Sequence, residues 1–323
     1  MKERLPLVSP LERAWFIGSQ RPLLGLDPDI VAVIAAYMRE VFVRKGTVLK
    51  KEGLPVDYLY YLVEGRLRIE YEDQTFLVTK PPGNTGLLWA LANWERGPGY
   101  YADTDTVVLQ IGVEPFFDIL EDYFPLVLRL YELLFRDLVA VQKKLGRPPE
   151  LSEPQSIDCS YPEHPLDLVE QLGWAMQCSA FKSVNLAALS QLLRVHPEIR
   201  LKPGQSLWKQ DDPAEHLVLV VYGNIRCTST HQYRNHIAGP GTIVGMEDTL
   251  IGERREFSAT AESRAILIRI DRQTYLDVLE DNFDLALLLL RFCATAILTT
   301  RQQLRKTSKE ADQTLEPYLT VMH

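Results

Sequence analysis

Few residues in this chain have the types and spacing that chemistry requires. The four cysteines, Cys159, Cys178, Cys227 and Cys293, are scattered with no CxxC pair, a usage that suits reduced thiols. The six histidines form no HxxxH set, and His231 and His236 lie around a turn, as surface-loop residues do. No Gly-rich Walker loop, no GxSxG and no evident pair of catalytic carboxylates occurs. What remains are two arginines in matched settings: Arg96 ten residues after Gly86, and Arg255 ten residues after Gly245. Near the second stand Met246, Glu247 and Ser258. A planar guanidinium suits the oxygens of an anion, so anion recognition is the chemistry on offer. The same residues also have plainer readings. Arg255 sits in the run Glu253-Arg254-Arg255-Glu256, as solvated charges do, and Arg96 beside Glu95 reads as structural. Glu247 with Asp248 would cap a short helix and favour its dipole.

Both arginines belong to a long internal repeat. Residues 42–68 align without a gap on 200–226 at an offset of 158, with Gly46 on Gly204, Leu49 on Leu207, Pro55 on Pro213, Gly65 on Gly223 and Arg68 on Arg226. Pro82-Gly83 falls on Pro240-Gly241 at the same offset. After one inserted residue the match resumes at 159, with Gly86 on Gly245, Arg96 on Arg255 and Leu120-Glu121-Asp122 on Leu279-Glu280-Asp281. A repeat this long means two copies of one domain, which 323 residues accommodate.

Within each copy the elements that would position the arginine can be read from periodicity. In the first, 27–38 reads as a helix with Asp27 as cap and Pro28 in its first turn. Short β-branched and aromatic runs follow at 42–43, 47–49, 58–63, 67–71 and 76–78, punctuated by Gly46, Gly53 and Gly65. From 115 the period turns helical, and Pro125 divides it into helices at 115–123 and 125–145. Residues 147–165 hold five prolines and no apolar period, as a linker does. The second copy has a helical lead at 166–180 and 184–194, strands over 198–270 and a helical tail from 272 to about 310. The expected organisation is a first domain at 1–146, a linker at 147–165, a second domain at 166–310 and a polar tail at 311–323. The expected fold is mainly β with flanking helices: two tandem jelly-roll barrels, at 40–112 and 198–270. Trp89, Trp94, Tyr58 and Tyr60 are read as packing rather than as base-stacking platforms.

Hydrophobic content of 46% and charged content of 24% are ordinary for a globular protein. A net charge of −8 argues against nucleic acid, though not against a local anion site. The longest apolar run, Leu285–Leu298, is shorter than the roughly 20 residues of a membrane span. No signal-peptide core appears near residue 1, and a cytoplasmic location is expected.

The spacing Gly46-x-x-Leu49, Tyr60-x-Leu62-x-x-Gly65, Pro82-Gly83 with Gly86, then Arg96, recurs as Gly204-x-x-Leu207, Val218-x-Val220-x-x-Gly223, Pro240-Gly241 with Gly245, then Arg255. It resembles the cyclic nucleotide-binding domain family, the sensor modules of catabolite-activator-like regulators and protein kinase A regulatory subunits, over roughly 115 residues of each copy. The resemblance implies a jelly roll with a phosphate-binding cassette, in which a turn feeds a short helix whose N–H groups face a cyclic phosphate. It implies a phosphate arginine at Arg255 and, more weakly, at Arg96. It further implies a ribose-binding acid just after Gly245, where Met246 stands and Glu247 follows one residue late, and a hydroxyl from Ser258. The first copy departs further: Pro82–Gly86 is one residue shorter, Leu87-Leu88-Trp89 replace the acid, and Gly99 replaces the hydroxyl.

The function expected from all this is a non-enzymatic regulatory protein with no cofactor, whose possible effector is a cyclic nucleotide held in the second copy. The alternative is an interaction module that keeps the fold without the ligand. A DNA-binding helix-turn-helix after the last helix is not expected, because fewer than 20 residues follow position 305. Apolar stripes after each barrel, Phe117, Leu120, Phe124, Val127, Leu130 and Leu134 in one and Leu279, Leu287, Leu290 and Ala294 in the other, lead to the expectation of a protein partner or a homodimer.

Overall fold

The computed structural model describes residues 9–19, 23–72, 74–78, 81, 83–145, 161–177, 181, 184–194, 198–230, 235–252 and 254–307. Most of the proline-rich segment, the polar tail, Cys159, Cys178 and His231 lie outside them. The chain divides into two compact units. The first takes in the residues up to Asp137 together with Leu290–Leu298, and the second Leu138–Leu289 with Thr299–Arg305.

The first unit opens with a helix that the periodicity did not announce, α1 (Pro10–Gly18). Its start is a capping box in which Ser9 Oγ accepts from Glu12 N and the Glu12 carboxylate accepts from Ser9 N. Helix α2 (Pro28–Tyr37) follows, capped by Asp27. Eight strands come next: β1 (Arg39–Val43), β2 (Val48–Lys50), β3 (Tyr58–Glu64), β4 (Leu67–Tyr71), β5 (Gln74–Val78), β6 (Gly83–Thr85), β7 (Gly99–Ala102) and β8 (Thr106–Gly112), with α3 (Leu87–Ala92) between β6 and β7. They form two four-stranded sheets, β1-β8-β3-β6 and β2-β7-β4-β5, all antiparallel. Helices α4 (Val113–Asp122) and α5 (Phe124–Leu145) follow. Pro125 lies in the first turn of α5, where its missing N–H costs nothing.

The second unit repeats this plan strand for strand. After α6 (Leu168–Ala175) and α7 (Leu186–Leu193) come β9 (Glu198–Leu201), β10 (Ser206–Trp208), β11 (His216–Tyr222), β12 (Ile225–Thr228), β13 (His236–Ala238), β14 (Ile243–Val244), β15 (Ser258–Ala261) and β16 (Ala265–Asp271), with α8 (Met246–Ile251) between β14 and β15. The sheet orders β9-β16-β11-β14 and β10-β15-β12-β13 match those of the first unit. Even irregularities recur: bulges fall between Leu62 and Glu64 and between Val220 and Tyr222. Gly46 N–H donates to Ala102 O at 2.7 Å, as Gly204 N–H does to Ala261 O at 2.8 Å. Gly65 and Gly223 both take positive φ, and a Cβ there would lie 2.5 Å from Asp105 O and 2.0 Å from Arg264 O. Only glycine fits such a turn. The fold is therefore two tandem jelly rolls with flanking helices.

Each barrel packs its own interior. Tyr60, Leu62, Leu67, Ile69, Tyr100 and Val108 fill the first, and a larger set including Trp208, Val218, Val220, Cys227 and Phe257 fills the second. Tyr60 meets Tyr100 edge to face at 5.6 Å, and Trp89 meets Tyr71 at 6.1 Å, so these aromatics are core. Among the described residues no cluster of metal-ligand side chains occurs, and Cys227 and Cys293 are buried free thiols.

Helices α9 (Arg272–Asp281) and α10 (Phe283–Thr307) close the chain. The apolar stripes are largely covered: Leu120, Val127, Leu130 and Leu134 are buried in the folded chain, as are Leu279, Leu290 and Ala294, while Phe117, Phe124 and Leu287 are half-buried. The helix also extends well past the run Leu285–Leu298. Phe283–Leu304, with a mean hydropathy of 1.7, is long and apolar enough to cross a membrane by length and composition, and 61% of it is buried. A helix with Leu285, Ala286, Leu290, Cys293, Ala294 and Ile297 all buried is accounted for by packing.

Candidate functional site

In the second unit β14 runs into Gly245, whose φ of +79° turns the chain into α8. The turn has no room for a side chain: a Cβ on Gly245 would lie 2.4 Å from Arg255 Nη1 and 2.9 Å from the Trp208 ring. After α8 the chain returns past Gly252 to Arg255, whose backbone pairs with the loop before β11. Asp211 N–H donates to Arg255 O, and Arg255 N–H to Asp212 O, each at 2.9 Å. That pairing aims the Arg255 side chain inward, where only 1% of the residue is exposed.

The guanidinium is held from several sides. Nη1 donates to Thr249 Oγ1 at 3.2 Å and to Gly245 O at 3.3 Å, and Nη2 donates to His216 O. Its Cζ lies over the Trp208 ring, 3.8 Å from the centroid, a desolvated cation–π contact. Nε is buried and has no hydrogen-bond partner. Burial lowers the Arg255 pKa to about 10, with Asp248 and Asp212 opposing the fall, so the group stays charged at neutral pH. Asp248 is the buried carboxylate of this site, and its Oδ2 accepts from Glu256 N–H at 3.3 Å. His216 is held near pKa 4, chiefly by burial and then by the charges of Arg269 and Arg255, and is neutral at pH 7.

The other expected ligand residues are placed differently. Met246 turns toward α9, where Tyr275 Oη lies 3.8 Å from its sulfur. Glu247 is half-buried at the second position of α8, and the inward carboxylate is one residue further on, at Asp248. Ser258 alternates with core Ala259 along β15, and its Oγ accepts from Gln210 N–H at 2.9 Å. The structure thus brings Gly245 and Arg255 together and leaves Met246 and Ser258 aside. Sequence reasoning missed Trp208, Thr249, His216 and Asp248. Thr249 was within reach, since position i+4 from Gly245 stacks on the same side of a helix.

The first unit opens its cassette likewise, with Gly86 at φ +103° capping α3, but every residue from Leu87 to Leu91 is buried. Arg96 is exposed. Backbone pairing shows why. Gly53 N–H donates to Gly97 O and Gly97 N–H to Leu54 O, each at 2.9 Å, the same ladder that Arg255 makes in the second unit. Gly97, not Arg96, is the counterpart of Arg255. The sequence offset of 159 put Arg96 there because the chain gains a residue before this ladder and loses it after. A Cβ built at 97 would lie 2.9 Å from Val56 Cγ2, 3.1 Å from Leu54 O and 3.3 Å from the Nζ of Lys50. That ammonium donates to Leu54 O at 2.6 Å, Pro98 O at 2.8 Å and Lys51 O at 3.1 Å, and faces the Tyr100 ring at 5.9 Å. Burial lowers its pKa, with Asp57 and Glu52 opposing.

An open cleft of about 900 Å³ on the outside of the second unit borders this site, lined by Arg255 itself with Asp211, Glu215, Arg254, Glu256 and Arg272 among others. Its mixed charges point to no single ligand chemistry.

Residues 198–282 match the family model described as the cyclic nucleotide-binding domain. No curated protein matches the chain. Among solved structures, it is similar to cAMP-bound PfPKA-R (141–441), at 14% identity over 86% of each chain with a TM-score of 0.33. It is similar to the regulatory subunit of a cAMP-independent protein kinase A from Trypanosoma brucei, at 12% identity over 88% of this chain and 84% of that one with a TM-score of 0.30. It is also similar to the sensor domain of the transcriptional regulator DNR from Pseudomonas aeruginosa, at 21% identity over 45% of this chain and 95% of that one with a TM-score of 0.35. Superpositions this loose carry no residue over to this chain.

Proposed function

We propose, from the premise that this chain belongs through residues 198–282 to the cyclic nucleotide-binding domain family, that its second barrel is a sensor for a phosphate-bearing small molecule of the cyclic nucleotide class. The protein would act by binding rather than catalysis, and its first barrel would be a ligand-free partner domain. The observation that carries this reading is the state of the cation at this place in each copy, half-buried in the first and buried in the second. Lys50 has three N–H donors, and three carbonyls accept from them. Arg255 has Nε buried with no partner, which is costly for a charged donor. An oxyanion at that edge of the guanidinium would remove the cost, and the N–H groups at the start of α8 stand by the same turn.

The ligand-free reading is favoured for the first copy alone, by the buried α3, the saturated Lys50 and the exposed Arg96. Calorimetric titration with cyclic AMP and cyclic GMP tests both parts. Arg255→Lys removes the fork and should weaken binding by about 10- to 150-fold, the worth of a charge-assisted bond. Lys50→Met should leave affinity unchanged. Absence of heat with either nucleotide, in a folded protein, would overturn the sensor reading.

A further inference from the structure

The end of the proline-rich segment is tied to the second barrel. Two side chains of β9, an edge strand of its sheet, hold the backbone of residues 162–166. Arg200 Nη1 donates to Pro162 O at 2.6 Å, Arg200 Nη2 donates to His164 O, and the Glu198 carboxylate accepts from Leu166 N–H at 2.8 Å. Tyr161, half-buried, begins this strap. Its Oη accepts from Arg200 Nη1 at 3.1 Å. Its ring faces the Arg264 guanidinium, with Cζ 3.7 Å from the centroid, and meets Tyr222 edge to face at 5.2 Å. The Tyr161 hydroxyl is also the first cause of a raised Arg264 pKa, ahead of Glu163. The first copy places neither arginine. There Phe42 pairs with Val107 as Arg200 pairs with Ile266, and Asp105 stands beside Gly65 as Arg264 stands beside Gly223. The barrel itself therefore does not require the pair.

We propose that Tyr161 is a phosphorylation site whose phosphate is held by Arg200 and Arg264. The phenol oxygen attacks the terminal phosphorus of a nucleoside triphosphate on a tyrosine kinase. The new P–O bond forms as the bond to the nucleoside diphosphate breaks, and the phenolic proton passes to the kinase's base. The product carries a charge of about −1.5 to −2 and three acceptor oxygens at pH 7. One guanidinium on the ring face and another at the phenol oxygen suit an aryl phosphate, because the planar fork both stacks on the ring and bonds phosphate oxygens. Two carboxylates face the same arginines. Glu198 keeps Arg200 Nε, while Glu163, 3.4 Å from Arg264 and largely exposed, is the weaker competitor. The phosphate draws Arg264 from Glu163, and the strap closes more firmly on the barrel. None of this depends on a ligand at Arg255.

The test uses the full chain, ATP and a tyrosine kinase chosen because it acts on a synthetic peptide of residues 157–167. Mass spectrometry locates the phosphate. Tyr161 of the full chain should be phosphorylated as the peptide is. Amide hydrogen exchange across 161–167 should then slow about tenfold or more, the order of one charge-assisted bond. A tyrosine phosphatase should release phosphate more slowly from Tyr161 of the full chain than from the peptide. Arg264→Ala should abolish both effects, and circular dichroism melting checks that it is folded, as its exposed side chain leads one to expect. If it is not, Arg264→Lys keeps the charge without the fork, and both effects should shrink. Phosphate that enters the peptide but not Tyr161 of the full chain would overturn the site. Exchange that phosphorylation leaves unchanged or speeds up would overturn it too, as would effects that a folded Arg264 variant keeps in full.

Discussion

The two cassettes begin alike and end differently. Both turn at a positive-φ glycine, Gly86 or Gly245, into a six-residue helix. Both set a cation beside an aromatic ring near the ladder that follows, half-buried Lys50 in the first and buried Arg255 in the second. In the first copy the cation comes from the second strand, as Lys50, and the ring from β7, as Tyr100. In the second copy the assignment is reversed: the ring comes from β10, as Trp208, and the cation from the ladder, as Arg255. An ammonium with three donors is satisfied by three carbonyls, whereas a guanidinium with five donors in a plane is left with an edge over. The difference teaches that a repeat can keep a fold and a charge while changing what the charge is able to bind.

The largest expected effects ask whether the shared frame is equally rigid in both copies. Gly223→Ala and Gly65→Ala force a Cβ into Arg264 O and Asp105 O at positive φ, and each should lower stability by about 2–5 kcal/mol in urea unfolding. Gly204→Ala and Gly46→Ala have open space around them and should cost only about 1–2 kcal/mol. Equal losses at all four sites would show that backbone strain, rather than the close approach, governs these turns. Next is Lys50→Met. It removes the Lys50 donor from Pro98 O and from Leu54 O, which keeps the Gly97 N–H, and should cost about 1–3 kcal/mol of stability. A change in nucleotide affinity with it would break the division of labour between the copies.

A smaller effect separates the copies by pH. The folded-state pKa of His216 is near 4 against an ordinary 6.5, so the unfolded chain binds more protons between those values. The stability linked to neutral His216 is fully present above about pH 6.5 and is lost as pH falls toward 4. Because the ring is only partly buried, the loss should be about 1–2 kcal/mol. Hydrogen exchange at pH 5 should speed up in β11 peptides relative to pH 7, beyond the intrinsic change, and His216→Gln should remove the excess. The equivalent peptide of β3, with Tyr58 at that place, should not respond. The smallest effect is Arg96→Ala. The side chain is exposed, so the change should stay within about 0.5 kcal/mol, and a large loss would return Arg96 to the site.

How far the sequence could be read follows from these residues. The 158-residue offset carried the division into two barrels and five of the strands of the first, because glycines at positive φ and alternating β-branched runs are local requirements that each copy must meet on its own. It did not reveal α1, whose Ser9–Glu12 cap was present in the sequence but precedes the repeat. Nor did it separate Arg96 from Gly97, since a residue gained and then lost between α3 and β7 leaves the offsets on either side unchanged.

Composition and repeat spacing by themselves determined the number of barrels and the glycine turns, which depend on backbone geometry and local pattern. Only the tertiary structure decided which cation lies beside which ring, that Met246 meets Tyr275 and Ser258 meets Gln210, and that Asp248 is buried. It also decided that the apolar stripes of α5 and α10 are largely covered within the chain. These outcomes depend on side chains from strands far apart in sequence meeting in one layer, where the number of donors, the acceptors within reach and the exclusion of water set the chemistry.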